Sequence, residues 1–242
     1  MRSRDNRKPA ARNGDLRSRD NGDLRKTAEF VRLADSLSET ARGFYSRGWI
    51  FGTSGNFSSV LNRDPLQLAI TASGLDKGRL TREGIVVIGE DAEPLNGMPR
   101  ASAEAALHLA IVGNRNAGAV LHTHSIWSTL LSDRHGNASG FAIEGYEMLK
   151  GLNGISTHDH VEWIPIIENS QDCDALAKTV ERVLTDLPLA HAFLLRRHGL
   201  YTWGKDLDEA RRHIEILEFL FEVTGRAATE PAMARGSAAF GH

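Results

Sequence analysis

Two places in the chain join short apolar runs through only a few turn residues, and this spacing limits the fold more than any other feature. "FSSVLN" and "LQLAIT" flank Asp64-Pro65, and "HAFLL" and "GLYTWG" flank a turn near His198-Gly199. Runs of this length, bounded by turn formers, read as β-hairpins. Tight links pair strands antiparallel, because a parallel pair needs a long crossover. "GIVVIG", "GAVLHTH", "FAI" and "VEWIPII" are further strand candidates. Between them lie helical patterns. Phe30, Leu33, Leu37, Ala41 and Phe44 form one apolar stripe between Thr27 and Gly48. Ser102 is placed to cap a helix running to about Val112, stopped by "GNRN". Another helix begins after Ser125, "YEMLKG" is a helical turn, and residues 172–187 are amphipathic. Asp206 or Asp208 caps the last helix, to about Val223. The expected class is α/β: three layers, with a central, mostly antiparallel sheet and helices on both faces.

The 242 residues suit one such domain plus tails. Residues 1–25 repeat "RSRDN" and "NGDLR" twice each and hold almost no apolar residues, so a disordered leader is expected. The domain should span 26–225, with a flexible tail over 226–242. A formal net charge of -2 gives no global argument for nucleic acid or an anionic membrane. No apolar run approaches a membrane span, and the basic N-terminus lacks the apolar core of a secretory signal. The one cysteine, Cys173, excludes an internal disulfide and a multi-cysteine zinc site, and fits a reducing cytoplasm.

In "AVLHTHS", His122 and His124 stand two apart after an apolar lead-in. On a strand they project to one face, at a reach suited to one metal ion. The spacing alone also fits two hydrogen-bonded strand-end histidines. A catalytic zinc takes three protein ligands and leaves a position open, and His198 is the best third. Arg196 and Arg197 beside it suit an anionic substrate. His158 and His160 share the spacing but precede their apolar run, so they read as loop residues. His108 and His213 read as structural helix histidines, His135 as a surface turn, and His191 as a strand opener. "GTSGNFS" and "TASGLDKG" combine glycine with small hydroxyl residues, so their N–H groups suit a phosphate, though each also fits an ordinary turn. Lys77 is a weaker candidate there. Proton transfer beside a carbonyl needs a base. Glu104 lies in a small-residue helix, and Glu147, between Tyr146 and Met148, sits where apolar neighbours would raise a carboxyl's pKa. A solvated surface residue is the alternative for either.

Taken together, "GTSGNFS", "TASG", "ASAEAALHLA", "AVLHTHS" and "RRHGLYTWG" resemble the class II aldolase/adducin-type family of zinc enzymes, over about Phe44 to Val223. "GYEMLKGL", "VEWIPIIENS" and "LLRRHGLYTWG" resemble its dehydratase branch. The resemblance implies one zinc per subunit on His122, His124 and His198, and a homotetramer with active sites at subunit interfaces. It implies a phosphosugar substrate whose phosphate lies near Ser54, Gly55, Asn56, Ser73 and Gly74, with Ser102. Glu147 matches the proposed acid/base of the dehydratases, whereas Glu104 occupies the acid/base position of the sugar-phosphate aldolases. The implied activity is dehydration of 5-methylthioribulose 1-phosphate in methionine salvage. Aldol cleavage of a ketose 1-phosphate is the runner-up. A non-catalytic adducin-type module is a third reading, which three retained histidines argue against.

Overall fold

The computed structural model describes residues 24–95 and 98–229. The expected leader, save Leu24 and Arg25, lies outside them, as does the tail beyond Thr229. Arg25 already belongs to the fold, its guanidinium donating to the Ile85 carbonyl at 3.1 Å.

Helix α1 (Ala28–Ser46) starts where Thr27 accepts a hydrogen bond from the Phe30 amide, and it buries the whole expected stripe. Strands β1 (Asn56–Arg63) and β2 (Leu66–Thr71) form the first hairpin, and β3 (Ile85–Ile88) adds to β2. Helix α2 (Ala105–Arg115) begins three residues after Ser102, with Glu104 at its uncapped N-terminal boundary. Ser102 is therefore not the cap, and both it and Glu104 stand outside the helix. Asn116, left-handed at φ 49, ends it. Strand β4 (Ala119–Thr123) leads through Ser125, which caps from its side chain, into α3 (Ile126–His135). β5 (Gly140–Ile143), a 3-10 turn at Glu147–Gly151, β6 (Glu162–Ile167) and α4 (Cys173–Asp186) follow. The second hairpin is β7 (Ala192–Leu195) and β8 (Gly199–Gly204). Asp206 caps α5 (Leu207–Ala227), which runs past the expected end at Val223.

The eight strands lie in the order β3-β2-β1-β4-β8-β7-β6-β5. Every neighbour pair is antiparallel except β6 and β7, which α4 joins as a crossover. Strand alternation divides the core into two layers. Ala119 and Leu121 pack with α1 and α5, while Val120 and Trp203 pack with α2 and α4. His122 follows the parity of Val120 and faces α2, one residue before the end of the central strand.

Candidate metal centre

The site forms where β4 and β8 meet at one end of the sheet. Their register pairs His122 with Tyr201 and Thr123 with Leu200, so the turn before β8 lands beside the end of β4. His198 sits in that turn, with its amide bonded to the Leu195 carbonyl. Gly199 makes the closeness possible: a Cβ there would lie 2.0 Å from the Thr123 oxygen and 3.1 Å from the His122 ring. His124, just past the strand, is fixed by its amide on the Trp49 carbonyl at 2.9 Å. One ligand atom from each of the three histidines lies within 4.8 Å of the other two.

Their outer nitrogens are already engaged. His122 Nδ1 donates to the Leu200 carbonyl at 2.9 Å, and His198 Nδ1 faces Asn169 Oδ1 at 3.3 Å. His122 therefore carries its proton on Nδ1 and presents a bare Nε2 inward, the tautomer that metal ligation requires. His122 Nε2 lies 2.7 Å from that of His124 and 3.4 Å from that of His198. Burial, then the neighbouring rings, holds His122 and His124 well below the usual imidazole value, so both stay neutral. Three converging imidazoles are the donor set of a three-histidine metal site with an open position, and the residues fit a divalent ion.

A cavity of about 360 Å³ opens from these ligands. His124, His198 and Glu104 line one end; Ser54, Gly55, Asn56, Ser73, Gly74, Lys77 and Ser102 line the rest. Glu104 turns its carboxylate to the histidines, 3.5 Å from His122 Nε2 and from His198 Nε2. Asn56 Nδ2 donates to Glu104 at 2.7 Å, and behind it stand the buried His108 and Ser58. Gly55 and Gly74 both adopt φ +73 in the two expected turns, a conformation that favours glycine. Lys77 is buried and ties these turns together, donating to the Thr53 carbonyl at 3.1 Å and that of Leu75 at 3.0 Å. Burial lowers its pKa against the opposing pull of Asp76.

Asn169, Ser170, Gln171 and Cys173, which no sequence motif singled out, line the same cavity as Lys77. The signal was "ENSQDC", a polar run between a buried strand and a capped helix. Burial raises the pKa of the Cys173 thiol, and nearby Glu104 adds to the rise.

Two expected residues stand apart within one chain. Glu147 opens the 3-10 turn with its side chain 72% exposed, bonded to Lys150 at 2.7 Å and 3.7 Å from His158. Lys150 holds its carboxyl below the usual range, the reverse of the expected rise, because Tyr146 and Met148 do not enclose it. Arg197 is 68% exposed and paired with Asp133 at 2.7 Å. Neither lines the cavity.

Of the second H-x-H pair, His158 is exposed beside Glu147 and Asp159, and His160 serves the opposite end of the sheet. His160 and His191 both bond the buried Glu162 carboxylate, at 2.8 and 3.0 Å. His191 Nε2 also meets the Asn153 carbonyl at 2.8 Å, so both its nitrogens face acceptors and the ring is cationic. His213 accepts the Asn153 amide at 3.1 Å and donates to the Trp203 carbonyl at 2.7 Å, so it is neutral.

Residues 35–224 match the family described as Class II Aldolase and Adducin N-terminal domain. A methylthioribulose-1-phosphate dehydratase from Alcanivorax borkumensis is 42% identical over 199 residues, covering 81% of this chain and 92% of that protein. The structure of YgbL from Escherichia coli, a putative aldolase/epimerase/decarboxylase, superposes with a TM-score of 0.68 at 27% identity, covering 85% of this chain and 93% of the other. L-fuculose-1-phosphate aldolase from Thermus thermophilus superposes with a TM-score of 0.65 at 23% identity, over 82% and 96% of the two chains, and shares the fold.

Proposed function

The chain belongs to the class II aldolase and adducin family and, within it, to the methylthioribulose-1-phosphate dehydratases, and from that premise we propose how its residues divide the reaction. The activity is that of a hydro-lyase: 5-methylthioribulose 1-phosphate loses water to give 2,3-diketo-5-methylthiopentyl 1-phosphate, a step of methionine salvage. A base takes the proton from carbon 3, and carbon 4 releases its hydroxyl as water. The resulting enol tautomerises to the diketone.

The observation that carries the assignment is the single cavity joining the three histidines and Glu104 to the glycine turns. His122, His124 and His198 would hold one Zn²⁺ per subunit. When bound, the ion supplies Lewis acidity that offsets the negative charge developing on the substrate's oxygens. Glu104 faces that position and is the carboxylate one chain offers to take the carbon-3 proton. Gly55, Gly74, Ser54, Ser73 and Ser102, with Lys77, hold the phosphate and thereby orient carbon 3. Asn56 holds Glu104. Glu147 and Arg197 enter a site from a neighbouring copy, in a homotetramer with sites at subunit interfaces, where Glu147 serves the departing hydroxyl. Among the described residues no helix is long and apolar enough to cross a membrane, and the reading places the enzyme in the cytoplasm, with no nucleic-acid partner.

Aldol cleavage of a ketose 1-phosphate is the second reading, favoured by Glu104 lying in the cavity while Glu147 does not. Incubation with methylthioribulose 1-phosphate should yield the diketone. Release of dihydroxyacetone phosphate from fuculose or rhamnulose 1-phosphate, with no diketone formed, would select cleavage instead. Glu104→Gln should retain the metal and lose turnover; an active Glu104→Gln beside a dead Glu147→Gln would reverse the two roles.

A further inference from the structure

The buried polar chain behind Glu104 has one consistent set of protons. An ionised Glu104 only accepts, so Asn56 must present its Nδ2 to it, as it does at 2.7 Å. Asn56 Oδ1 then faces His108 Nε2, and two acceptors cannot share that contact, so His108 must donate from Nε2. Its Nδ1 is left as an acceptor, and Ser58 Oγ donates to it at 2.7 Å. Ser58 and His108 have no exposed surface, and Asn56 has 4%. The order Ser58, His108, Asn56, Glu104 therefore runs in one direction, from a core hydroxyl to the carboxylate facing the metal position. Reversing the His108 tautomer would turn the Asn56 amide over and set its carbonyl against the carboxylate.

Glu104 needs this support. It lies at the boundary of α2 with φ -93 and ψ 15, and its side chain makes no capping hydrogen bond. Local backbone structure does not hold the carboxylate, whereas Asn56 lies on β1 and His108 on the first turns of α2, the two rigid elements that flank it.

We propose that His108 is a positioning residue which, through the Asn56 amide, presents Glu104 to the metal-side substrate atoms as an acceptor. The proposal rests on the reading of Glu104 as the group that moves the carbon-3 proton. His108 does not line the cavity, and its hydrogen-bonded path to Glu104 runs through Asn56, while its ring also packs edge-on against Tyr201.

Three measurements test it. Nitrogen-15 NMR of the wild-type protein, with and without Zn²⁺, should show His108 as the neutral Nε2–H tautomer; an Nδ1–H or doubly protonated ring overturns the proposal. His108→Leu should bind a full complement of zinc yet lose roughly 10- to 100-fold in kcat, with KM changed less than about threefold. His108→Gln, which keeps an N–H for Asn56, should recover part of that loss. In a Glu104→Gln background, His108→Leu should cost less than about twofold more, because both act on one group. Unchanged kcat, a full additive loss in the double variant, or loss of zinc from His108→Leu would each overturn it. If the wild type fails to dehydrate methylthioribulose 1-phosphate, the proposed function falls, and the tautomer measurement still decides the arrangement of His108.

Discussion

His122 has no exposed surface, stacks on Tyr201 with ring centroids 3.9 Å apart, and spends its outer nitrogen on the Leu200 carbonyl. His122→Ala should therefore abolish stoichiometric zinc binding, read by metal analysis of purified protein. His108 makes a different prediction. Burial lowers its pKa to about 4 from 6.5. A lowered pKa contributes stability that is full above 6.5 and is lost as pH falls through about 4, here on the order of 3 kcal/mol. Urea unfolding between pH 7 and 4 should show that acid loss, and His108→Leu should shrink it. At this scale the sequence revealed His122 and His124, because strand alternation is a local rule. The resemblance put Glu147 ahead of Glu104 as the base, yet within one chain it is Glu104 that meets the metal-ligand histidines, because that depends on tertiary placement. The Asn56–His108 pair was equally hidden: the two lie 52 positions apart, Asn56 reading as a phosphate neighbour and His108 as a structural helix histidine.

Elements position these side chains through contacts that tolerate little. Gly199→Ala would drive a Cβ into the Thr123 carbonyl and separate β8 from β4 at the metal end. We expect a loss of about 2–4 kcal/mol in urea unfolding together with weaker zinc binding. The Asn153 backbone is clamped between a cationic His191 and a neutral His213. Burial of His191 opposes its charge, but the hydrogen bond and charge of Glu162 prevail and raise its pKa. That contribution is full below about 6.5 and is lost as pH rises through the raised value. Burial lowers His213, whose contribution is full above about 6.5 and is lost as pH falls. The protection factor of the Asn153 amide, which removes the intrinsic rise of hydrogen exchange with pH, should be greatest between the two transitions and fall on both sides; a flat profile would contradict the clamp. Most elements were legible, because their caps, stripes and turn residues are local signals. The start of α2 was not. Ser102 resembles a cap, yet its hydroxyl meets the Glu104 amide at 3.4 Å and the helix begins later.

The proposed tetramer is tested at the scale of the whole molecule. Ile126 and Leu130, one turn apart on α3 directly after the metal strand, are 61% and 54% exposed, and Phe219 on α5 is 45% exposed. Light scattering should give the mass of a tetramer. Mixing inactive Glu147→Gln chains with inactive His122→Ala chains should restore part of the activity, since some sites would combine an intact metal centre with an intact Glu147. Failure of complementation in proven mixed tetramers would place Glu147 outside the neighbour's site. The layered architecture was readable from the hairpin links, but an interface has no signature within one chain's periodicity.

One consequence of the β4–β8 pairing concerns time rather than shape. His122 and its carbonyl partner Leu200 are 78 residues apart, so their contact closes a long loop before any reward is gained. Such non-local pairing is a slow event in folding. The third ligand arrives only with it, and a partly folded chain presents His122 and His124 without His198. An ion held by the three histidines would therefore act as a latch on the finished sheet: it would bind the closed form, leave the folding rate nearly unchanged, and slow unfolding.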